Sequence, residues 1–332
     1  MSDWNKRQRL EATCRGERAD RPPVALWQHF PGDDRRSADL ARSQLDFQAA
    51  FDFDFIKVTP SSSFCVEDWG VESVYEGNLE GTRRYTRRII SQPADWRRLP
   101  LLDPRAGALG RQLECLRLIR QGIEEDVPFI QTIFNPLAQA KYLAGDGRLL
   151  ADMRRSPADL LAGLETITAT IVRFVEEVCR TGTAGIFLAV QHASYRLMNE
   201  DEYRRFGVAF DRRILEALSD SAWFNVLHLH GEDVMFDLLA DYPVQAINWH
   251  DRATPPSLAE GLTRTSRVLI GGIRQWETMV CGEPADVEME VADAIRQTGG
   301  RRLIVGTGCV TPIVAPRSNI RAARLAVDKL AG

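Results

Sequence analysis

Short apolar segments alternate along the chain with longer segments in which apolar residues recur every three or four positions. The short segments have the length of buried strands, and the longer ones, such as residues 157–182, have the pattern of amphipathic helices. The eight strands that this pattern predicts cover residues 22–27, 53–58, 128–133, 184–190, 223–229, 243–249, 267–273 and 301–306. Regular alternation of strand and helix indicates parallel β/α units. Eight such units predict an α/β fold of the (β/α)8 TIM barrel type.

The interval between the second and third predicted strands is longer than an ordinary connection between a strand and a helix. Its first half, residues 71–89 (VESVYEGNLEGTRRYTRRI), alternates around Gly77-Asn78 and predicts a β-hairpin. Its second half, residues 109–125, has the pattern of a helix that returns to the third strand. We therefore predict one domain over residues 1–332, with a hairpin and a helix inserted into the barrel.

Composition and charge exclude several classes of protein. The chain of 332 residues is 44% hydrophobic and carries 42 Lys and Arg against 46 Asp and Glu, so it has no basic excess for binding nucleic acid. Its first residues lack the apolar segment of a signal peptide, which predicts a cytoplasmic protein. No apolar stretch reaches the roughly 18 residues of a membrane span. Six scattered cysteines are typical of free thiols.

All five histidines lie at or just after the ends of predicted strands. They are His29, His192, His228, His230 and His250. In a parallel barrel the carboxyl ends of the strands meet at one mouth, where reactive groups collect. We expect the five imidazoles at this mouth. His29, His192 and His250 are interpreted as residues that line the pocket or transfer protons.

The sequence Leu227-His228-Leu229-His230-Gly231 is the sharpest local feature. Residues two apart on a strand point to the same face, so both imidazoles can reach one ion. Cys309, which follows the eighth strand, offers a third ligand at the same mouth. A His2Cys set leaves one tetrahedral position for substrate, as in catalytic zinc sites, and predicts Zn2+. The alternative is that the histidines form ordinary hydrogen bonds and Cys309 is a small buried residue.

Several segments of the chain resemble the uroporphyrinogen decarboxylase superfamily. The similarity includes residues 306–323 (GTGCVTPIVAPRSNIRAA), residues 134–164, the strand AGIFLAV and the segment MNEDEYRRF. It covers nearly the whole chain and implies a (β/α)8 barrel. It also places Tyr142 at the position of a tyrosine that faces the substrate in that family.

The chain departs from true decarboxylases in the segments that bind the tetrapyrrole. After the first strand it reads Trp27-Gln28-His29-Phe30-Pro31, without the arginine pair of the decarboxylases. After the second strand it reads Val58-Thr59-Pro60-Ser61, without their aspartate. Because a substrate with many carboxylates needs cationic partners, we expect uroporphyrinogen decarboxylation to be weak or absent.

The resemblance is closer to another branch of the superfamily, the zinc-dependent methyltransferases that use a corrinoid. Their ligands form a His-x-Cys-Gly segment and a cysteine in the closing motif. Here the segment is His228-Leu229-His230-Gly231 and the closing residue is Cys309. The resemblance thus implies a zinc-dependent methyl or alkyl transfer involving a corrinoid carried by a partner protein. A decarboxylase-type lyase and a non-catalytic corrinoid or tetrapyrrole binder are the alternatives.

The site that we expect therefore has three sets of residues. The metal ligands are His228, His230 and Cys309. The catalytic candidates are Tyr142, His192 and His250. The candidates for binding the small-molecule methyl donor or acceptor lie at or just after the ends of predicted strands and are Gln28, His29, Phe30, Asn135, Trp249 and Arg274. Members of the superfamily are monomers or homodimers, and we expect the same here.

Overall fold

A computed structural model of the chain describes residues 4–124 and 126–330. Within these residues seven strands form one parallel sheet in the order β1-β4-β5-β6-β7-β8-β9, and β2 and β3 form a separate antiparallel pair. The strands are β1 (Ile56–Val58), β2 (Glu72–Val74), β3 (Arg84–Arg87), β4 (Phe129–Phe134), β5 (Gly185–Val190), β6 (Val226–Leu229), β7 (Ala246–Trp249), β8 (Val268–Ile273) and β9 (Leu303–Thr307). Seven of the eight predicted barrel strands are present.

The first predicted strand, residues 22–27, closes the barrel without forming a regular strand. Val24 makes a single parallel bridge to Val305 of β9, and its carbonyl accepts a hydrogen bond from Asp54 N at 2.9 Å. The segment therefore lies between β9 and the chain that leads into β1. Pro22 and Pro23 have no N–H to donate, which prevents a continuous ladder at this position. The (β/α)8 barrel is confirmed, and this strand is corrected to an extended segment.

Asp54 holds the closing segment from inside the protein. Its fully buried carboxylate accepts hydrogen bonds from Val24 N, Arg9 Nη1 and Arg21 Nη1, each at 2.7 Å. A buried carboxylate is tolerated only when it is paired in this way. The ion cluster thus connects the N-terminal helix, the closing segment and the residues that lead into β1.

Helices cover the outside of the sheet. They are α1 (Lys6–Cys14), α2 (Ser37–Phe51), α3 (Gly107–Gly122), α4 (Pro136–Ala144), α5 (Asp146–Arg155), α6 (Pro157–Cys179), α7 (Glu200–Tyr203), α8 (Ala209–Glu216), α9 (Phe236–Leu239), α10 (Leu258–Arg264), α11 (Pro284–Thr298) and α12 (Arg317–Lys329). In α6 the residues Leu160, Leu164, Ile167 and Ile171 are buried, as the spacing of its apolar positions predicts. Among the described residues no helix has the length and apolarity needed to cross a membrane.

The inserted hairpin, formed by β2 and β3, packs across the mouth of the barrel. Tyr85 Oη donates a hydrogen bond of 3.0 Å to the carbonyl of Ser62, which follows β1. Gly81, with φ of +82°, lies so close to His29 that a Cβ there would be 2.4 Å from the His29 Cβ. The hairpin and the following helix α3 confirm the predicted insertion. Their position makes the insertion one wall of the mouth.

Candidate metal centre and substrate cavity

His228 and His230 enter the mouth from β6. His228 is in register with Ala189 of β5 and Asn248 of β7, and His230 N continues the ladder with a 2.9 Å hydrogen bond to the Val190 carbonyl. Leu229, between them, is fully buried in the core. Strand alternation therefore places both imidazoles on the inner face, as predicted.

Cys309 is brought to these imidazoles by a close turn after β9. Gly308 makes the approach feasible, since a Cβ at this residue would lie 2.6 Å from the Cα of His250. Thr307 Oγ1 also donates a 2.6 Å hydrogen bond to the Cys309 carbonyl. As a result Cys309 Sγ lies 3.6 Å from His228 Nε2 and 3.7 Å from His230 Nδ1.

The ligand atoms of His228, His230 and Cys309 all lie within 4.8 Å of one another. Across residues 4–124 and 126–330, this is the one group of three or more His, Cys, Asp or Glu side chains close enough to hold a metal ion. The predicted convergence of the three side chains is confirmed. Zinc binding itself stays a prediction.

Asn248 fixes which nitrogen of His228 faces the cluster. The Asn248 amide nitrogen donates to the carbonyls of Ile270 at 2.9 Å and Thr307 at 3.1 Å. Its oxygen is therefore directed at His228 Nδ1, 2.7 Å away, and accepts a hydrogen bond from it. With the proton on Nδ1, the lone pair of Nε2 points towards Cys309. A partner of this kind is typical of histidines that bind metals.

The protonation states of His228, His230 and Cys309 suit the binding of a cation. Burial lowers the pKa of His228 far below its usual value and that of His230 to about 4, and the neighbouring imidazoles repel further charge. Both rings are therefore neutral donors at neutral pH. Burial raises the pKa of the Cys309 thiol to about 11. Two imidazoles and a thiol that needs a cation to ionise fit Zn2+.

A cavity of about 230 Å³ opens beside the cluster. Its walls combine aromatic and cationic side chains, many of them contributed by the insertion. They include Trp27, His29, Lys57, Glu80, Arg83, Tyr85, Arg88, Phe134, Lys141, Tyr142, Phe187 and Gln191. Tyr142 stacks on Tyr85 with ring centroids 5.1 Å apart and donates a 2.9 Å hydrogen bond to Gln191 Oε1. The predicted residues His29 and Tyr142 thus line this cavity.

Lys57 is a functional candidate that the sequence interpretation missed. It lies on the inner face of β1, only 5% exposed, with Nζ 4.8 Å from the centroid of the Phe187 ring. Its ammonium donates a 3.3 Å hydrogen bond to Thr59 Oγ1. Burial lowers the pKa of Lys57 to about 7. The available signal in the sequence was a lysine between two apolar residues near the end of a predicted strand.

We expect Lys57 to titrate near neutrality. The chain has four lysines, so reductive methylation with 13C-formaldehyde gives few resonances to follow as the pH changes. Burial favours the neutral amine, and one resonance should therefore titrate near pH 7. That resonance should be missing in Lys57→Met. The α-amino group, which titrates at about 7.7–8.0, should give a second such resonance in both proteins. If Lys57→Met shows the same set of titrating resonances as the wild-type protein, the shift belongs to another amine.

Two other predicted catalytic histidines lie outside this cavity. His192 is fully buried, with Nε2 3.3 Å from Asp146 Oδ1. His250 lines a second cavity, also about 230 Å³, on the other side of Gly308. Its ring centroid is 5.6 Å from that of His230 and 6.3 Å from that of His228. His250 therefore adjoins the candidate metal centre, whereas His192 contacts Asp146, the first residue of α5.

Three of the predicted substrate-binding residues have their side chains in the protein interior instead. Asn135 caps α4 by accepting a hydrogen bond from Ala138 N, and donates at 2.9 Å to the buried Asp211. Trp249 is fully buried, and its indole donates to the Pro256 carbonyl. It follows Asn248 on the strand and so points to the opposite face, into the helix layer. Phe30 packs on Phe47 with centroids 5.9 Å apart.

The remaining two predicted substrate-binding residues do not line the cavity beside the cluster either. Gln28 is partly buried, and its neighbour His29 is the residue of that segment that reaches the cavity. Arg274 pairs with Glu290 of α11 and lines the second cavity with His250. Proximity to a strand end was thus too coarse a criterion, since neighbouring residues there point in different directions.

Comparison with known proteins places the chain among barrel enzymes. The family profile described as "Uroporphyrinogen decarboxylase (URO-D)" matches residues 5–330. The methylcobamide:CoM methyltransferase MtbA of Methanosarcina acetivorans is 19% identical, with 97% of each chain covered, and the MtbA of Methanosarcina mazei is 20% identical at the same coverage. A solved methyltransferase structure from Methanosarcina mazei superposes with a TM-score of 0.88 at 18% identity, covering 99% of this chain and 100% of the other.

Proposed function

The chain belongs to the uroporphyrinogen decarboxylase (URO-D) family, and within this family we propose that it transfers a methyl group between a corrinoid protein and a small molecule, with the help of zinc. The observation that carries the proposal is the convergence of His228, His230 and Cys309 beside a cavity at the mouth of the barrel. The relatives named methylcobamide:CoM methyltransferase MtbA support the type of reaction.

The three side chains of the metal centre would hold the ion. When bound, zinc supplies a Lewis acid that lowers the pKa of a thiol or polarises a heteroatom that carries a methyl group. His228 keeps its Nε2 lone pair available because Asn248 holds the proton on Nδ1. His230 stays neutral because its buried position disfavours the charged ring. These residues would therefore hold the ion at neutral pH.

The lining of the cavity favours an anionic small molecule. Arg83, Arg88 and Lys141 contribute cationic groups, and Glu80 contributes an acidic one. Lys57 adds an amine that is partly protonated near pH 7. Arg83 is held by Asp34, with Nη2 2.6 Å from Oδ1, whereas its buried Nε has no hydrogen-bond partner in the described residues. A buried N–H without a partner is costly, so an acceptor atom of the substrate would be stabilised there.

The proposed methyl transfer is a nucleophilic displacement at the methyl carbon. The sulfur of a thiolate attacks the methyl carbon of a methylcorrinoid, an S–C bond forms, and the Co–C bond breaks. The electron pair of the Co–C bond stays on cobalt, which leaves Co(III) reduced to Co(I). The contribution of the chain is to bind the thiol in the cavity, exclude water and align the sulfur with the mouth, where the partner protein would present its corrinoid.

The test uses free methylcobalamin and 2-mercaptoethanesulfonate with the zinc-loaded protein under anoxic conditions. We expect protein-dependent loss of methylcobalamin by absorbance, formation of the methyl thioether, and loss of both after treatment with a chelator. Uroporphyrinogen, tested in parallel, is expected to stay unchanged. Methyl transfer at the rate of the uncatalysed mixture would contradict the proposal, and decarboxylation of uroporphyrinogen would favour the lyase.

We also expect the enzyme to prefer an anionic thiol to a neutral one. The matched pair is 2-mercaptoethanesulfonate and 2-mercaptoethanol, which differ in the charged group. A charge-assisted hydrogen bond of about 1.5–3 kcal/mol predicts a preference in kcat/KM of roughly 10- to 100-fold. The kinetics of the two thiols at equal thiolate concentration measure it. Equal kcat/KM values would show that the cationic residues do not recognise substrate charge.

A further inference from the structure

Lys57 is a buried basic side chain for which the described residues supply no acidic partner. It is 5% exposed, and within the described part of the chain its Nζ makes a single hydrogen bond, 3.3 Å long, to Thr59 Oγ1. Two aromatic rings, those of Phe187 and Trp27, have their centroids 4.8 Å and 5.9 Å from Nζ. A buried ammonium group is costly unless an anion pairs with it. Lys57 therefore either gives up its proton or receives an anion from outside the chain.

The groups that face Lys57 do not provide this anion. His29 is neutral at neutral pH, because burial lowers its pKa to about 3, and burial lowers the pKa of His228 far below its usual value. A centre of one Zn2+, the neutral imidazoles of His228 and His230, and the Cys309 thiolate would carry a net charge of +1, which also favours a neutral amine.

The remaining titratable groups of the cavity belong to the hairpin and to α4. They are Glu80, Arg83, Tyr85, Arg88, Lys141 and Tyr142. Among the described residues of this lining Glu80 is the one acid, and its Oε1 accepts a 3.0 Å hydrogen bond from Gln275 Nε2. The amine of Lys57 thus stands free for a group of the substrate.

Lys57 lies at the inner end of the cavity, on the side of the metal centre. Phe187 lies between the two, since its ring centroid is 4.8 Å from Lys57 Nζ and 5.2 Å from the centroid of the His228 ring. Arg88 and Lys141 lie nearer the solvent, because Arg88 is exposed and Lys141 Nζ pairs with the exposed Asp146 at 3.7 Å. A thiol whose sulfur faces the metal centre, with its anionic group towards the solvent, would therefore have its sulfur near Lys57.

We propose that the amine of Lys57 accepts the proton of the thiol substrate when the thiol binds beside the metal centre, and that Lys57 is thus the base of the methyl transfer. This inference rests on the proposed function. The S–H bond breaks and its electron pair stays on sulfur, while the lone pair of the amine forms the new N–H bond. After the thioether has left, the ammonium returns the proton to water, so that each turnover releases one proton.

The acidities of the two groups suit this exchange. Burial lowers the pKa of Lys57 to about 7, so above pH 7 most of the free protein holds a neutral amine. An ordinary thiol has a pKa of about 8.5, which a bound cation lowers. The thiolate in turn stabilises the ammonium by charge attraction. Below pH 7 the amine already carries a proton and cannot take another from the thiol.

The experiment counts the protons released when 2-mercaptoethanesulfonate binds to the zinc-loaded protein without corrinoid. Calorimetric titrations in two buffers of different ionisation enthalpy give this number together with the affinity. In the wild-type protein the amine keeps the thiol proton, whereas in Lys57→Met the proton passes to the buffer. With a Lys57 pKa of about 7, Lys57→Met should release about 0.9 proton more per thiol than the wild-type protein at pH 8, and only about 0.1 more at pH 6.

Two further variants separate proton transfer from charge. Lys57→Arg keeps a cation, but a guanidinium cannot take up a proton, so this variant should release as many protons as Lys57→Met. Lys141→Met is the matched control. It removes a lysine of the same cavity that already has an acidic partner, and it should keep the wild-type proton count.

The outcomes separate this inference from the proposed function. Equal proton release at pH 8 in the wild-type protein and both Lys57 variants would overturn the inference and leave thiol binding at the metal centre intact. Loss of thiol binding in both Lys57 variants would assign Lys57 to holding the substrate, and would overturn the inference as well. Failure of the wild-type protein to bind zinc, or of the zinc-loaded protein to bind the thiol, would overturn the proposed function and this inference with it.

Discussion

Cys309→Ala is expected to lose stoichiometric zinc and, with it, methyl transfer. The variant removes the single sulfur from the cluster, 3.6 Å and 3.7 Å from the two imidazole nitrogens. The binding free energy of Zn2+ at a structural site is roughly 10–16 kcal/mol. If four ligands contribute equally to it, the loss of one weakens binding by about 100- to 1000-fold. Zinc content after dialysis and competition with a chelator measure this change.

The control for Cys309→Ala is Cys281→Ala. Cys281 is exposed, so its replacement tests whether an accessible thiol outside the cluster holds the zinc. This variant should keep one zinc per chain. Cys309 is partly exposed at the mouth, so its replacement should leave the thermal unfolding of the metal-free protein nearly unchanged. Stoichiometric zinc in Cys309→Ala would show that another residue is the ligand.

The sequence was sufficient for the fold because the barrel depends on periodic burial. The apolar segments at Phe129–Phe134 and Gly185–Val190 are buried throughout and could be read as strands without any tertiary information. The closing segment at residues 22–27 was harder to predict from the sequence. Its apolar run resembles a strand, but Pro22 and Pro23 withhold the N–H groups that a ladder needs, and Asp54 supplies a side-chain contact that no local pattern reveals.

The convergence of the candidate metal ligands was also predictable from local pattern. Residues two apart on a strand share a face, so His228 and His230 had to be neighbours once the strand was recognised. The substrate cavity was not predictable, because the insertion supplies much of its wall. Tyr85, Arg83 and Arg88 reach the mouth only through the way in which the hairpin folds back over β1. Such contacts depend on tertiary packing rather than on spacing.

Asn248 contacts the candidate metal ligand His228 but is not part of the sequence motif that predicts the metal site. It occupies a position opposite His228 in the register of β6 and β7, and its side chain is fully buried. Its two N–H groups are bound by carbonyls of β8 and β9, so only its oxygen can face the imidazole. The sequence places this asparagine on a predicted strand but does not show which groups its side chain contacts. Its role follows from the closure of the barrel.

Asn248→Leu is expected to weaken zinc binding by about 10- to 100-fold, the usual effect of removing a partner that orients a metal-bound histidine. Leucine has the same branching at Cγ but cannot accept the Nδ1 proton of His228. The proton of the metal-free ring would then be shared between Nδ1 and Nε2, and the Nε2–H tautomer cannot bind the ion. Chelator competition measures the affinity, and long-range 1H–15N NMR of the metal-free protein measures the tautomer.

A matched control separates this positioning role from simple loss of stability. Asn225 is a buried asparagine at the opposite end of β6, where its side chain accepts a hydrogen bond from Ile186 N and donates one to the Ala222 carbonyl. Asn225→Leu removes a comparable set of hydrogen bonds, at about 1–3 kcal/mol for each buried group left without a partner. It should destabilise the barrel yet leave His228 protonated at Nδ1. If both variants showed the wild-type tautomer, Asn248 would be a structural residue, and the orientation of His228 would have to come from packing against Phe187, whose ring lies 5.2 Å away.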